Sequence, residues 1–251
     1  MNSYTRQLHS FMKKFIITLL LLNIFFTAFS QDARIITVSF IPTINGEIAK
    51  LNKEIVIDSS KNIKIVITKL KFYLSHLSFY KDEKLVWQDN TAAYLMDAEN
   101  EMSIKLPIKK NIEFNAIKFG LGVDSITNVA GALDGDLDPL KGMYWTWQSG
   151  YVNFKLEGNM HNSKSEEQKF EYHLGGYSGE NNSYNTIALN VENSDTIKVS
   201  LDLDNFFSNW YVGAHPNIMS PGKIAVDFSK ILSTCFHFLN DNGNFIIRQL
   251  N

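Results

Sequence analysis

The strongest constraint on this chain is a period of two. Alternation and β-branched enrichment mark strands at Arg34 to Ile41, Ile63 to Tyr80, Ala93 to Met96, Ile112 to Val123, Tyr144 to Leu156, Lys169 to Leu174, Thr186 to Val191 and Thr196 to Leu203. Successive side chains of a strand point to opposite faces, so a stretch of this kind buries one clean face only when extended. Polar breaks of turn length separate most of them, among them Asn45-Gly46, Lys81-Asp82-Glu83, Asn162-Ser163-Lys164, Asn181-Asn182-Ser183 and Asn193-Ser194-Asp195. Many strands at short spacing, with no helical periods between them, predict an all-β fold, mainly an antiparallel β-sandwich or a barrel. One short helix is expected near the C-terminus, where Pro221 and Gly222 precede Ile224, Phe228, Ile231 and Leu232 at helical spacing. Phe245-Ile246-Ile247 would return as a last strand.

The core must hold this fold unaided. Cys235 is the only cysteine, so no internal disulfide can form, and its apolar neighbours predict a buried small hydrophobe. With 45% hydrophobic residues in 251, material for one large core is ample. No heptads, repeats or Pro/Ser-rich linkers interrupt it, which predicts a single domain over residues 31–251.

Residues 1–30 read as a secretory signal peptide. Lys13 and Lys14 precede the apolar run Phe15 to Phe29, which ends in Ala28-Phe29-Ser30. The run is shorter than the ~20 apolar residues of a membrane span, so no stable span is expected after cleavage. A periplasmic or secreted location follows. Cleavage takes Arg6, Lys13 and Lys14 from 24 basic residues, leaving 21 against 26 acidic, a net of −5. Such a balance argues against nucleic acid as a partner.

Chemistry-bearing residues concentrate between Gly120 and Gly158. If Met143 to Gln148 is extended, Met143, Trp145 and Trp147 share a face, either as a core layer or as a soft, polarizable wall suited to Cu(I). Asp134, Asp136 and Asp138 alternate like the opening of a calcium loop. The pattern then fails, because Pro139 and Trp145 stand where an EF-hand needs Gly and a bidentate Glu. A solvated acidic turn is the better reading, with a calcium site of another kind as the alternative. Histidines are dispersed, with no short HxH or HxxxH pair, so a metal site must be assembled from distant strands. On Phe170 to Leu174, His173 points away from the face of Phe170, Tyr172 and Leu174. No nucleophile elbow, P-loop, His-Glu-x-x-His or dinucleotide fingerprint is present, so an enzyme is not expected.

Five ordered blocks carry a resemblance: Phe40 to Gly46 (FIPTING), Leu70 to Leu77 (LKFYLSHL), Phe119 to Asp124 (FGLGVD) with Asn128, Gly142 to Gly158 (GMYWTWQSGYVNFKLEG) and Tyr172 to Gly175 (YHLG). In this order they resemble the MbnP-like copper-binding family, and His215 to Ala225 is similar to its C-terminal region. The resemblance implies an exported β-rich protein that binds copper, in some members through histidines and a tryptophan oxidised to kynurenine. It also implies a MauG-like di-haem peroxidase as modifying partner. Residue by residue, the tryptophan block falls on Trp145, Trp147, Gln148, Gly150 and Tyr151, and the His-Leu-Gly block on His173. Val129 stands where copper-binding members carry a histidine, and the paired cysteines of those members are reduced to one. The implied ligands are therefore His173, His76 or His215, with Trp145 or Trp147 as the oxidised residue. A second reading is a non-catalytic module that binds a glycan or partner protein in an aromatic cleft of Trp145, Trp147, Trp210 and Tyr211.

Overall fold

The computed structural model describes residues 12–13, 33–60, 62–147, 150–162, 165–208, 216–240 and 245–246. Its backbone is organised by one long strand, β4 (Ile63–Lys81), numbered after β1 (Ala33–Ile44), β2 (Glu47–Ile48) and β3 (Glu54–Asp58). Then come β5 (Lys84–Gln88), β6 (Tyr94–Asp97), β7 (Ser103–Lys109), β8 (Ala116–Leu121), β9 (Tyr144–Trp145), β10 (Gly150–Asn162) and β11 (Ser165–Gly175). The last strands are β12 (Asn185–Asn190), β13 (Thr196–Asp202), β14 (Asn217–Ile218), β15 (Phe236–Leu239) and β16 (Phe245–Ile246). Among the described residues, three α-helices of five residues or more punctuate these strands: α1 (Ser125–Val129), α2 (Leu203–Ser208) and α3 (Lys223–Ser233).

Two sheets result. One runs β16-β15-β13-β1-β2, with β7 also paired to β1; the other runs β12-β8-β4-β10-β11-β14, with β3, β5, β6 and β9 added. The predicted β class with a C-terminal helix is present, and most pairings are antiparallel. Among the described residues two are parallel, β1 with β13 and β11 with β14, because the chain reaches those partners by crossing between layers and not through a hairpin.

Alternation explains the packing. Ile36, Val38 and Phe40 of β1 and Phe72 and Leu74 of β4 turn the same way, into the space between the sheets. Phe40 and Phe236 of one sheet meet Phe72 and Phe119 of the other edge-to-face, with ring centroids 5.5–6.1 Å apart. Each fully buried phenylalanine contributes about 1.5–3 kcal/mol. α3 closes one end with Ala225, Val226, Phe228 and Leu232 buried, and Phe228 packs on Tyr172 and Phe206. Cys235 is fully buried, as expected of a small hydrophobe.

A second, smaller core lies on the outer side of the larger sheet. Tyr73, Ala93, Val123, Leu137, Met143, Trp145, Tyr151 and Val152 form it. The segment from α1 through β9 and its following turn covers it, and that segment carries Trp145 and Trp147.

Candidate functional site

Tyr151 fastens the covering loop. Its hydroxyl accepts from the Leu133 N–H at 3.0 Å and lies within donating distance of Leu137 O, at 3.0 Å, and Gly131 O, at 3.2 Å. Asn128 fixes the other end: its side-chain oxygen accepts from the Tyr151 N–H at 2.8 Å, and its amide donates to Val123 O at 2.8 Å. Asp124 caps α1 through Thr127 N. Further along, Lys155 donates to Gly142 O. Burial, with Lys69 and Lys71 nearby, lowers the Lys155 pKa against the opposing effect of Glu157.

The expected row of Met143, Trp145 and Trp147 does not form. β9 is two residues long, and the chain turns at Thr146 and Trp147 so that Trp145 pairs with Gly150 of β10. Trp145 is consequently buried, at 7% exposure, whereas Trp147 is 65% exposed. Their rings still touch, with centroids 5.8 Å apart at 45°. An open aromatic cleft would thus have Trp147 alone of this pair; Trp210 and Tyr211 lie outside the described residues.

Trp145 lies on Gly175. A Cβ at Gly175 would fall 2.6 Å from the indole Cζ3 and 2.7 Å from Tyr151 O, so only glycine lets the indole lie down there. Two residues back along β11, on the same face, is His173. His173 is 8% exposed, and its Nε2 is 2.7 Å from Glu157 Oε1. Glu157 also receives Lys69, 3.3 Å away on β4, while Lys71 pairs with Asp97 at 2.8 Å. Burial would raise the Glu157 pKa, but its hydrogen bond from His173 and the charge of Lys69 outweigh that and lower it. For His173 burial comes first, Lys155 adds to it, and the pKa falls despite Glu157. A carboxylate on one ring nitrogen is the usual support of a metal-bound histidine, and it leaves Nδ1 as the candidate ligand atom.

His76 is elsewhere. It sits at positive φ (50°) in an irregularity of β4 and bonds Asp124 Oδ2 through Nε2 at 3.0 Å. Lys155 pairs both with Lys71 of β4 and with His173 of β11. The backbone at His76 is therefore two strands across and five residues along from His173, roughly 10 Å by 16 Å. Two imidazoles so separated do not meet at one ion, whose bonds are about 2 Å. His215 lies outside the described residues. Among the described residues, no group of three or more His, Cys, Asp or Glu side chains converges to hold a metal. The aspartates of the acidic turn are engaged separately: Asp136 accepts from Leu95 N and Lys141, and Asp138 from Leu140 N. Val129 is an exposed residue of α1. Glu157, Lys155 and Gly175 were not singled out from sequence. Alternation does put Lys155 and Glu157 on one face, but their partners depend on cross-strand register.

The molecule is thus a two-sheet β protein with a tryptophan-bearing loop strapped over one sheet face beside a carboxylate-held histidine. The chain belongs to the MbnP family, whose model matches residues 33–220. Among solved structures it is similar to MbnP from Methylosinus trichosporium, with a TM-score of 0.54 and 11% identity over 70% of this chain and 78% of that one. No curated protein sequence matches the chain. Among the described residues no helix is long and apolar enough to cross a membrane.

Proposed function

We propose that this chain is an exported, non-enzymatic copper-handling protein of the periplasm or extracellular space. Its site centres on His173 and Trp145. The observation that carries this reading is the juxtaposition on β11: an indole resting on Gly175 and a buried imidazole two residues away, oriented by Glu157. His215 is the second imidazole in this reading. The next residue in sequence, Pro216, accepts through its carbonyl from Glu171 N of β11 at 2.8 Å.

The described donors do not by themselves complete a copper site, which gives oxidation of a tryptophan its place in the proposal. An indole offers one N–H donor and no lone pair for a metal, whereas kynurenine offers an aryl amine and a ketone. A MauG-like di-haem peroxidase is the class of partner that would make the change, and exposed Trp147, in ring contact with Trp145, is the surface it would meet. His173 binds in this scheme as neutral imidazole, a form its lowered pKa favours.

Metal analysis and intact mass of protein purified from its native host test the reading. Near-stoichiometric copper with a kynurenine mass shift in the 145–147 peptide supports it; a metal-free chain with both tryptophans unmodified sinks it. His173→Ala is expected to weaken copper affinity at least about tenfold, equivalent to about 1.4 kcal/mol.

A further inference from the structure

A second concave surface lies away from the tryptophan loop, on the outer face of β5, β4, β8 and β12. Two adjoining cavities make it. One is lined by His76, Ser78, Gln88, Gly120, Tyr184 and Thr186, the other by Asp82, Glu83, Asn115, Ala116 and Asn190, and Tyr80 and Lys118 belong to both. Register explains their alignment. Gln88, Ser78, Lys118 and Ala188 form one row across four strands; Tyr80, Ala116 and Asn190 form the next. From His76 the groove follows β4 to its end at Lys81 and reaches the turn at Asp82, a span of roughly 20 Å.

Small side chains at Ser78 and Ala116 lower its floor between larger walls. At Gly120 a Cβ would fall 1.9 Å from the Tyr184 hydroxyl, so the missing side chain lets that ring lie across β8. Tyr184 and His76 meet edge-on at 6.4 Å, and His76 is held by Asp124. At the middle, Lys118 lies over the Tyr80 ring at 4.2 Å. At the far end Asn115 clasps Asp82, donating to its carboxylate at 2.8 Å and accepting from its N–H at 3.1 Å.

These features select a ligand by exclusion. An apolar ligand would strand the hydroxyl, amide and charged groups that line the groove. A peptide strand adds to a sheet edge through main-chain bonds, but β4 and β8 are paired on both sides and offer side chains only. Lys118 against Asp82 and Glu83 gives no positive excess for a polyanion. An elongated, uncharged, hydroxyl-rich molecule matches, because each of its hydroxyls both donates and accepts, as do the solvent-facing Tyr80, Gln88 and Thr186. We infer that this face is a binding groove for a neutral oligosaccharide of a few linked sugars, distinct from the Trp145 site and independent of any metal.

The test is calorimetric titration of the full chain with cellotetraose, xylotetraose, mannotetraose, maltotetraose and chitotetraose at up to millimolar concentration. The expected result is saturable binding to at least one. That affinity should fall about tenfold or more in Thr186→Trp, which fills the groove from an exposed position, and in Gln88→Ala, and should be unchanged in Trp147→Ala. Circular dichroism confirms that each variant is folded. No binding to any of the five overturns the inference, as does binding that survives Thr186→Trp, binding abolished by Trp147→Ala, or preference for a uronate tetramer. None of these outcomes bears on copper at His173, so the two readings fail separately.

Discussion

The 2.7 Å contact between His173 and Glu157 favours the imidazolium, yet burial and the Lys155 ammonium together prevail and hold the His173 pKa below its ordinary 6.5. His237 is shifted the same way, by burial against the opposing charge of Asp202. A histidine with a depressed folded pKa is neutral in the fold at a pH where the unfolded chain has already taken up its proton. Stability is therefore expected to be level above pH ~6.5 and to fall as pH drops from there through the lower folded values. Urea midpoints across that range measure it, and His173→Gln should remove part of the slope. Gly175 is the other decisive single residue. Gly175→Ala drives a methyl against Trp145 and Tyr151 O, with an expected loss of about 1–3 kcal/mol, read as a lower urea midpoint at unchanged m value.

Among elements, the covering loop depends on few bonds for its length. Tyr151→Phe removes the hydroxyl that gathers Gly131, Leu133 and Leu137, costing about 1–3 kcal/mol as buried groups lose partners. The opening should be local, so hydrogen exchange ought to accelerate at Leu133 and its neighbours well before it does in β4 or β10. What was legible in the sequence follows the same division. Strands whose alternation faces the main core, such as β1, β4, β11, β12 and β13, were readable because Phe40, Phe72 and Phe170 make burial periodic. β7 alternates equally well, burying Ile104, Leu106 and Ile108, but Pro107 argues against a central strand, and its position along the outer side of β1 satisfies that objection. β3 and β5 are half-exposed and carry little pattern. The stretch expected as one strand from Tyr144 to Leu156 breaks at Thr146-Trp147, a turn that Ser149-Gly150 marks in the sequence but that the apolar alternation around it masks. At the site, His173 and Trp145 were legible as candidates. Gly175 beneath the indole and Glu157 beside the imidazole were not, because both contacts depend on register between strands.

For the whole molecule, a lone buried thiol means that oxidation state contributes nothing through cross-links. Burial raises the Cys235 pKa to about 12, which keeps it an unreactive thiol. The urea midpoint should accordingly be the same with and without reductant, and a difference would reveal a covalent dimer. The sheet pairings also predict slow folding, in milliseconds to seconds, because so many join distant segments; stopped-flow fluorescence of the tryptophans measures the rate.

The parallel pairing of β1 with β13 sets an order of events. Thr37 finds Thr196, and the outer side of β1 finds β7, so the first strand made waits for nearly the last. A ribosome releasing this chain from its N-terminus leaves one edge of β1 unpaired until β13 has emerged. For that interval the leading end of the nascent polypeptide lacks its parallel partner, and it is then most dependent on a holding chaperone.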